Sequence, residues 1–181
     1  KEMKKYEEKI QKYEDLNYAV KKDVNKVMIT GATGFLGAHL VNEFLMNTNC
    51  DIYSIVRGKN SDHAKMRLAE KLEYYFGEGY FEKYASRIKI YNGDLSEERL
   101  GLEDKAYKTT STEIEMIINS AANVRHFGPY EKFYKANVES VKNIVDFSKK
   151  GLKKDIYHIS TTSVLMGETK VEDDILFTEF D

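Results

Sequence analysis

Five short, mostly apolar stretches stand out along the chain, at residues 27–29, 51–56, 87–91, 114–119 and 156–160. Their length and their Val, Ile and Tyr content predict buried strands. Between them apolar positions recur at intervals of three and four, which predicts helices over residues 35–46, in two pieces within 60–86, and over 130–150. Gly77 and Gly79 break the second of these, Pro129 suits the first turn of the third, and Lys149-Lys150 followed by Gly151 ends it. Ser96 with Glu97 and Glu98 reads as a helix start. Residues 1–23 carry Tyr6, Ile10, Tyr13, Leu16 and Val20 near helical spacing and read as an N-terminal helix and linker; the acidic stretch 165–181 reads as an exposed excursion. Strand and helix alternating throughout predict an α/β fold: a doubly wound parallel sheet with right-handed crossovers and helices on both faces.

The junction of the first strand and the first helix holds the most informative residues, Gly31-Ala32-Thr33-Gly34-Phe35-Leu36-Gly37. A strand that turns through glycines into a helix is the phosphate-binding unit of a Rossmann-type fold. Gly31 permits the sharp turn, Gly34 leaves room for a pyrophosphate, and Gly37 lets the helix lie close to the sheet. Thr33, Phe35 and Leu36 complete the loop, and the free N–H groups of the first helical turn face the phosphates.

The other candidate positions lie at the carboxyl ends of the later strands, where such sheets bind ligands. Arg57 ends the second strand about twenty residues past the glycines, the place that meets the adenosine ribose. Arginine there suits a 2′-phosphate and therefore NADPH; Lys59 and Arg67 are weaker candidates for the same phosphate. After the third strand, Asp94 can accept from the adenine amino group while Leu95 lies against the ring; Asp94 as a cap of the helix that follows is the competing reading, and the two can coexist. Ala121, Ala122 and Asn123 follow the fourth strand and leave room for a cofactor across the sheet. The hydroxyls of Ser160-Thr161-Thr162-Ser163 after the fifth either point into the crevice or are ordinary strand residues.

Composition narrows the partners. The 181 residues are 41% hydrophobic, enough for a globular core. Lys+Arg 28 against Asp+Glu 30 leaves a net charge of -2, and nothing in that balance points to nucleic acid or an anionic membrane. The single cysteine, Cys50, excludes an internal disulfide, and no Cys/His cluster has metal-ligand spacing. No stretch approaches the roughly 18 apolar residues of a membrane span or the apolar core of a signal peptide, so the chain reads as cytoplasmic.

Together, the glycine loop, Val56-Arg57, Gly93-Asp94-Leu95-Ser96 with Leu100-Gly101-Leu102, Asn119-Ser120-Ala121-Ala122, Tyr130 with Asn137-Val138, and Ser160-Thr161-Thr162-Ser163-Val164 resemble the terminal thioester reductase domain of non-ribosomal peptide synthetases. They are similar also to the reductase domains of carboxylic acid and aminoadipate reductases, within the extended short-chain dehydrogenase/reductase superfamily. The resemblance covers about residues 24–167 and implies an NADP-binding Rossmann domain over 24–181, with 1–23 joining it to an upstream carrier domain. It implies that an acyl or peptidyl thioester arrives on the phosphopantetheine arm of that carrier and that NADPH reduces it to an aldehyde, in some members on to an alcohol. It also implies a Ser/Thr hydroxyl that polarises the carbonyl, here Thr161 with Thr162 as fallback, beside a proton-donating tyrosine and a lysine.

That tyrosine and lysine belong to a Tyr-x-x-x-Lys on the helix after the fifth strand. The chain carries this spacing once, at Tyr18 and Lys22, ahead of the first strand and so away from any nicotinamide site. The expectation is a Rossmann sheet truncated before that helix and before the C-terminal substrate subdomain, with negligible hydride transfer on its own. Two alternatives stand: an epimerase or dehydratase of sugar nucleotides from the same superfamily, which Arg57 argues against, and a non-catalytic Rossmann binding module.

Overall fold

The computed structural model describes residues 23–161, of which Val24–Ile159 form one compact unit. Ser160 and Thr161 fall in a second unit; residues 1–22 and 162–181, with the readings made on them, lie outside the described residues. The elements are β1 (Lys26–Thr30), α1 (Phe35–Asn47), β2 (Asp51–Val56), α2 (Ser61–Phe76), α3 (Tyr80–Tyr84), β3 (Ile88–Asn92), α4 (Asp104–Glu113), β4 (Met116–Asn119), α5 (Tyr130–Tyr134), α6 (Ser140–Ser148) and β5 (Asp155–His158). A π-helical turn, Lys135–Glu139, joins α5 to α6. The sheet is parallel throughout, in the order β3-β2-β1-β4-β5.

Both faces of the central strands are buried, which is why they read as unbroken apolar runs. Val27, Ile29, Ile52 and Val56 point to the α1/α2 face and pack with Ala38, Val41, Leu45, Leu68 and Leu72. The intervening Met28, Tyr53 and Ile55, with Ile117 of β4, point the other way and pack with Leu100, Leu102, Ile144 and Phe147. Two cores therefore clamp one sheet.

Local chemistry sets the ends of the helices. Asn60 caps α2 by accepting from the His63 N–H at 2.8 Å, and Gly77 ends it at φ 98. The last turn of α1 carries no basic residue of its own, and the Arg87 guanidinium fills that role from across the fold. It donates to the carbonyls of Leu45 (2.9 Å), Thr48 (2.8 Å) and Cys50 (2.7 Å).

Some boundaries differ from expectation. Ile114 ends α4 by donating its N–H to the Thr110 carbonyl, so β4 starts later, at Met116. Arg87 belongs to a short turn before β3, and β5 closes at His158. Ser96 starts no helix: Asp94 fixes a turn there, a tight turn follows at Glu98–Gly101, and α4 begins only at Asp104. In that tight turn Arg99 (φ 52) and Leu100 (φ 61) are left-handed although neither is glycine.

Candidate dinucleotide-binding site

Strand order reverses at β1. The chain moves outward through β2 and β3, then returns to lay β4 on the other side of β1, so the connections leaving β1 and β4 part and open a crevice. The two strands stay in register to their last residues, Thr30 opposite Asn119. There the Thr30 hydroxyl donates to Asn119 Oδ1 at 2.5 Å, both side chains buried, and the Ser120 hydroxyl donates to the Thr30 carbonyl at 2.7 Å. Asn119 also donates to His158 Nδ1 at 2.9 Å, which makes that ring nitrogen an acceptor. A polar row thus crosses β1, β4 and β5 at the floor of the crevice.

The glycine loop forms one wall. Gly31 has φ 70, and a Cβ there would stand 2.9 Å from the backbone of Ser120 and Ala121, so the loop and the segment after β4 touch main chain to main chain. At Gly37 a Cβ would come within 2.1 Å of the Gly31 carbonyl oxygen. At Gly34 it would meet only that same oxygen, at 3.2 Å, and would otherwise project into open space. The intrahelical ladder of α1 begins with the Ala38 N–H on the Gly34 carbonyl, so the N–H groups of Phe35, Leu36 and Gly37 precede it. No side chain caps this end and its first turn has no acidic residue, while Phe35 and Leu36 are exposed. Open space over Gly34, uncapped N–H groups and a helix dipole fit the pyrophosphate of a nicotinamide dinucleotide.

The loops after β2 and β3 lie beside this wall. Arg57 is exposed, and its guanidinium lies 3.9 Å from the Asp94 carboxylate. Arg67 donates to the Arg57 carbonyl rather than extending alongside its guanidinium. Lys59 is exposed, its backbone N–H on His63 Nδ1. Asp94 Oδ1 accepts from both the N–H and the hydroxyl of Ser96, which closes a turn rather than capping a helix as its second reading expected, since α4 begins only at Asp104. Leu95 is half-buried against the second core, and its carbonyl accepts from Asn143 of α6.

On the far wall Ala121 and Asn123 are half-buried and Ala122 is exposed. The Asn123 N–H donates to Asn137 Oδ1 at 2.7 Å, and Asn137 donates back to the Asn123 carbonyl at 3.0 Å. Asn137 sits in the π-helical turn, whose extra residue swings its side chain onto the loop. The sequence marked Asn137 only within the Tyr130 and Asn137-Val138 motif, without this task. Thr161 follows β5 but belongs to the second unit. A cavity of about 610 Å³ opens between the turn at Glu98–Gly101, α4 and α6. It borders the loop after β3 through Asn143, but acidic Glu98, Asp104 and Asp146 face basic Arg99, Lys108 and Lys150 across it, so it offers no net charge to a dinucleotide.

Comparisons with known proteins agree with this geometry. Residues 29–179 match the family described as Male sterility protein, a nicotinamide-binding family. The chain is 33% identical to L-2-aminoadipate reductase of Saccharomyces cerevisiae over 153 residues, 82% of this chain and 11% of that protein. Among solved structures it is similar to the terminal R domain from the myxalamid PKS-NRPS biosynthetic pathway, at 34% identity and a TM-score of 0.73, over 80% of this chain and 37% of that one. It is similar also to a thiolation-reductase di-domain from an archaeal non-ribosomal peptide synthetase, at 31% identity and a TM-score of 0.72, over 87% of this chain and 32% of that one. The chain spans 3% to 13% of the length of the curated relatives it matches.

Proposed function

The chain belongs to the family described as Male sterility protein, alongside reductase domains of peptide and polyketide synthetases and carboxylic acid reductases, and on that premise we propose that it holds the cofactor of an NADPH-dependent thioester reductase. The protein that contains it would release an acyl or peptidyl chain from a phosphopantetheinyl carrier domain as an aldehyde, or on to an alcohol. The observation that carries this reading is the glycine wall at the reversal of strand order, with open space above Gly34 and uncapped N–H groups beside it.

Within the reading, Gly31, Gly34, Gly37 and the first turn of α1 hold the pyrophosphate, and Arg57 binds the 2′-phosphate with Lys59 and Arg67 adding positive charge. Asp94 and Leu95 hold the adenine, while Ala121, Ala122 and Asn123 border the nicotinamide half. Thr161 polarises the thioester carbonyl, and a tyrosine and a lysine of the protein that contains this chain serve as acid and ribose ligand. The bound cofactor supplies hydride; the residues named here orient it and bind its charge. Support for a carrier partner comes from the thiolation-reductase pair among the similar structures.

Calorimetric titration of the chain with NADPH and NADH, repeated with Arg57→Ala, tests the proposal. NADPH binding at least tenfold tighter than NADH, with the margin lost in Arg57→Ala, is the expected result. Equal affinities would refute the assignment of NADPH. Turnover of an acyl thioester by this chain alone, at the rate of an intact reductase domain, would refute its role as a cofactor-holding part.

A further inference from the structure

The loops after β2 and β3 are tied together beyond the pairing of their strands. The Gly58 N–H donates to the Asn92 side-chain oxygen at 2.8 Å, the Gly93 N–H donates to the Val56 carbonyl at 3.3 Å, and Arg57 Nη1 lies 3.9 Å from Asp94 Oδ2. The ion pair is lopsided. Asp94 is fixed: its Oδ1 takes two hydrogen bonds from Ser96, and the left-handed turn through Leu100 and Gly101 presses on its backbone, where a Cβ on Gly101 would stand 2.6 Å from the Asp94 nitrogen. Leu100 holds positive φ with its side chain fully buried, so that turn is locked by the second core. Arg57, by contrast, keeps 74% of its side-chain surface exposed and is held from the pair by a long contact.

A fixed carboxylate and a free guanidinium make a pair that a better anion can split. A phosphate monoester carries more charge than a carboxylate and accepts both prongs of the guanidinium. We propose that Arg57 and Asp94 form an exchangeable ion pair that couples recognition of the cofactor's 2′-phosphate to recognition of its adenine. The phosphate draws Arg57 away, and the released Asp94 Oδ2 becomes an acceptor for the exocyclic amino group. A cofactor without the phosphate leaves Arg57 on Asp94 and meets a carboxylate already engaged. Discrimination then resides in the pair and not in Arg57 alone. This rests on reading Arg57 and Asp94 as residues of the adenosine half.

The test is calorimetric titration of the chain with four dinucleotides: NADPH, NADH, and the hypoxanthine counterpart of each, in which a carbonyl oxygen replaces the 6-amino group. Losing the amino group is expected to cost at least fivefold more affinity in the phosphorylated pair than in the unphosphorylated pair. Asp94→Asn, which keeps the Ser96 hydrogen bonds while removing the charge, is expected to bring the two losses within twofold of each other. Equal losses in the unaltered chain would overturn the coupling while leaving a preference for NADPH standing. No preference for NADPH, or an Arg57→Ala variant that binds it undiminished, would overturn the underlying reading and the coupling with it, as would failure of all four dinucleotides to bind.

Discussion

Replacing Gly37 with alanine sets two effects of opposite sign against each other. Gly37 lies inside α1 with ordinary helical backbone, and alanine is favoured over glycine in a helix interior by about 1 kcal/mol. Against this, the new Cβ would stand 2.1 Å from the Gly31 carbonyl oxygen, 2.5 Å from its carbon and 2.8 Å from the Ala32 nitrogen. All three are main-chain atoms of the turn, so no side chain can swing aside, and α1 must withdraw by about 1 Å to restore ordinary contact. Overpacking costs about 1–3 kcal/mol, and clashes with main-chain atoms put this case in the upper part of that range, about 2–3 kcal/mol, which leaves a net loss of about 1–2 kcal/mol and a fall in Tm of about 3–6 °C for a domain of this size. The withdrawal also carries the N–H groups of Phe35, Leu36 and Gly37 away from the phosphates, so NADPH affinity should drop more than tenfold. Gly77→Ala is the control: open space surrounds it, but its φ of 98 is hostile to any side chain, so it should cost about as much stability through strain alone. Urea denaturation and NADPH titration of both variants decide the matter, with equal losses of stability and a loss of binding only for Gly37→Ala. A Gly37→Ala chain as stable as the parent, or one that binds NADPH within twofold of it, would refute the packing argument.

Arg87→Ala should destabilise the chain by about 2–3 kcal/mol, because the carbonyls of Leu45, Thr48 and Cys50 lose a charged donor at the end of α1; a urea midpoint unchanged from the parent would contradict this. Asn137→Ala removes both hydrogen bonds to the Asn123 backbone and should cost about 1 kcal/mol, read most directly as faster exchange of the Asn123 amide proton. Lys154 is buried with its ammonium on the carbonyls of Ser111, Lys150 and Leu152, and burial pushes its pKa down to about 8. The unfolded chain, with an ordinary lysine pKa of about 10.4, binds more protons than the folded one between pH 8 and 10, so stability from this group rises across that window by up to about 1.4 kcal/mol per pH unit. Lys154→Met should lack that rise, and a difference in unfolding free energy between the two chains that stays flat from pH 7.5 to 10 would count against it.

The five strands and the parallel sheet covered on both faces were legible because burial on both faces writes itself as mostly apolar runs; the order of the strands came from the fold. What escaped were features decided by individual backbone hydrogen bonds, which residue type does not reveal. Ile114 is apolar and buried whether it opens β4 or closes α4, and only its N–H on Thr110 distinguishes the two. Reading 130–150 as one regular helix, with a stripe through Phe133, Asn137 and Val141, overlooks the π-helical turn at Lys135–Glu139, where the stripe carries no break. The glycines of the wall could be placed because their reason is the backbone itself. Arginines are different: position ranked Arg57 above Arg67, but nothing in the sequence gave Arg87 its task. Arg87 is spent on carbonyls, Arg67 on the backbone of Arg57, and Arg57 faces a carboxylate with most of its surface exposed. Residue type gives the charge, and only the fold gives its availability.

The position of the crevice follows from β1 and β4 more than from the loops that line it. These strands stay paired to Thr30 and Asn119, whose buried side chains bond to each other, and only then do the connections separate. Contact between Gly31 and the Ser120-Ala121 backbone is a consequence of that register, since a slip of one residue would turn Thr30 and Asn119 to the opposite face and part the two walls. The wall that would hold the pyrophosphate and the wall that would border the nicotinamide are therefore set by one strand pair, both of whose members lie within Val24–Ile159. Weakening the Thr30–Asn119 contact should then impair both halves of the proposed dinucleotide site together, whereas changes at Arg57 or Asp94 should affect only the proposed adenosine half, a difference that titration with NADPH and with adenosine 2′,5′-bisphosphate would read.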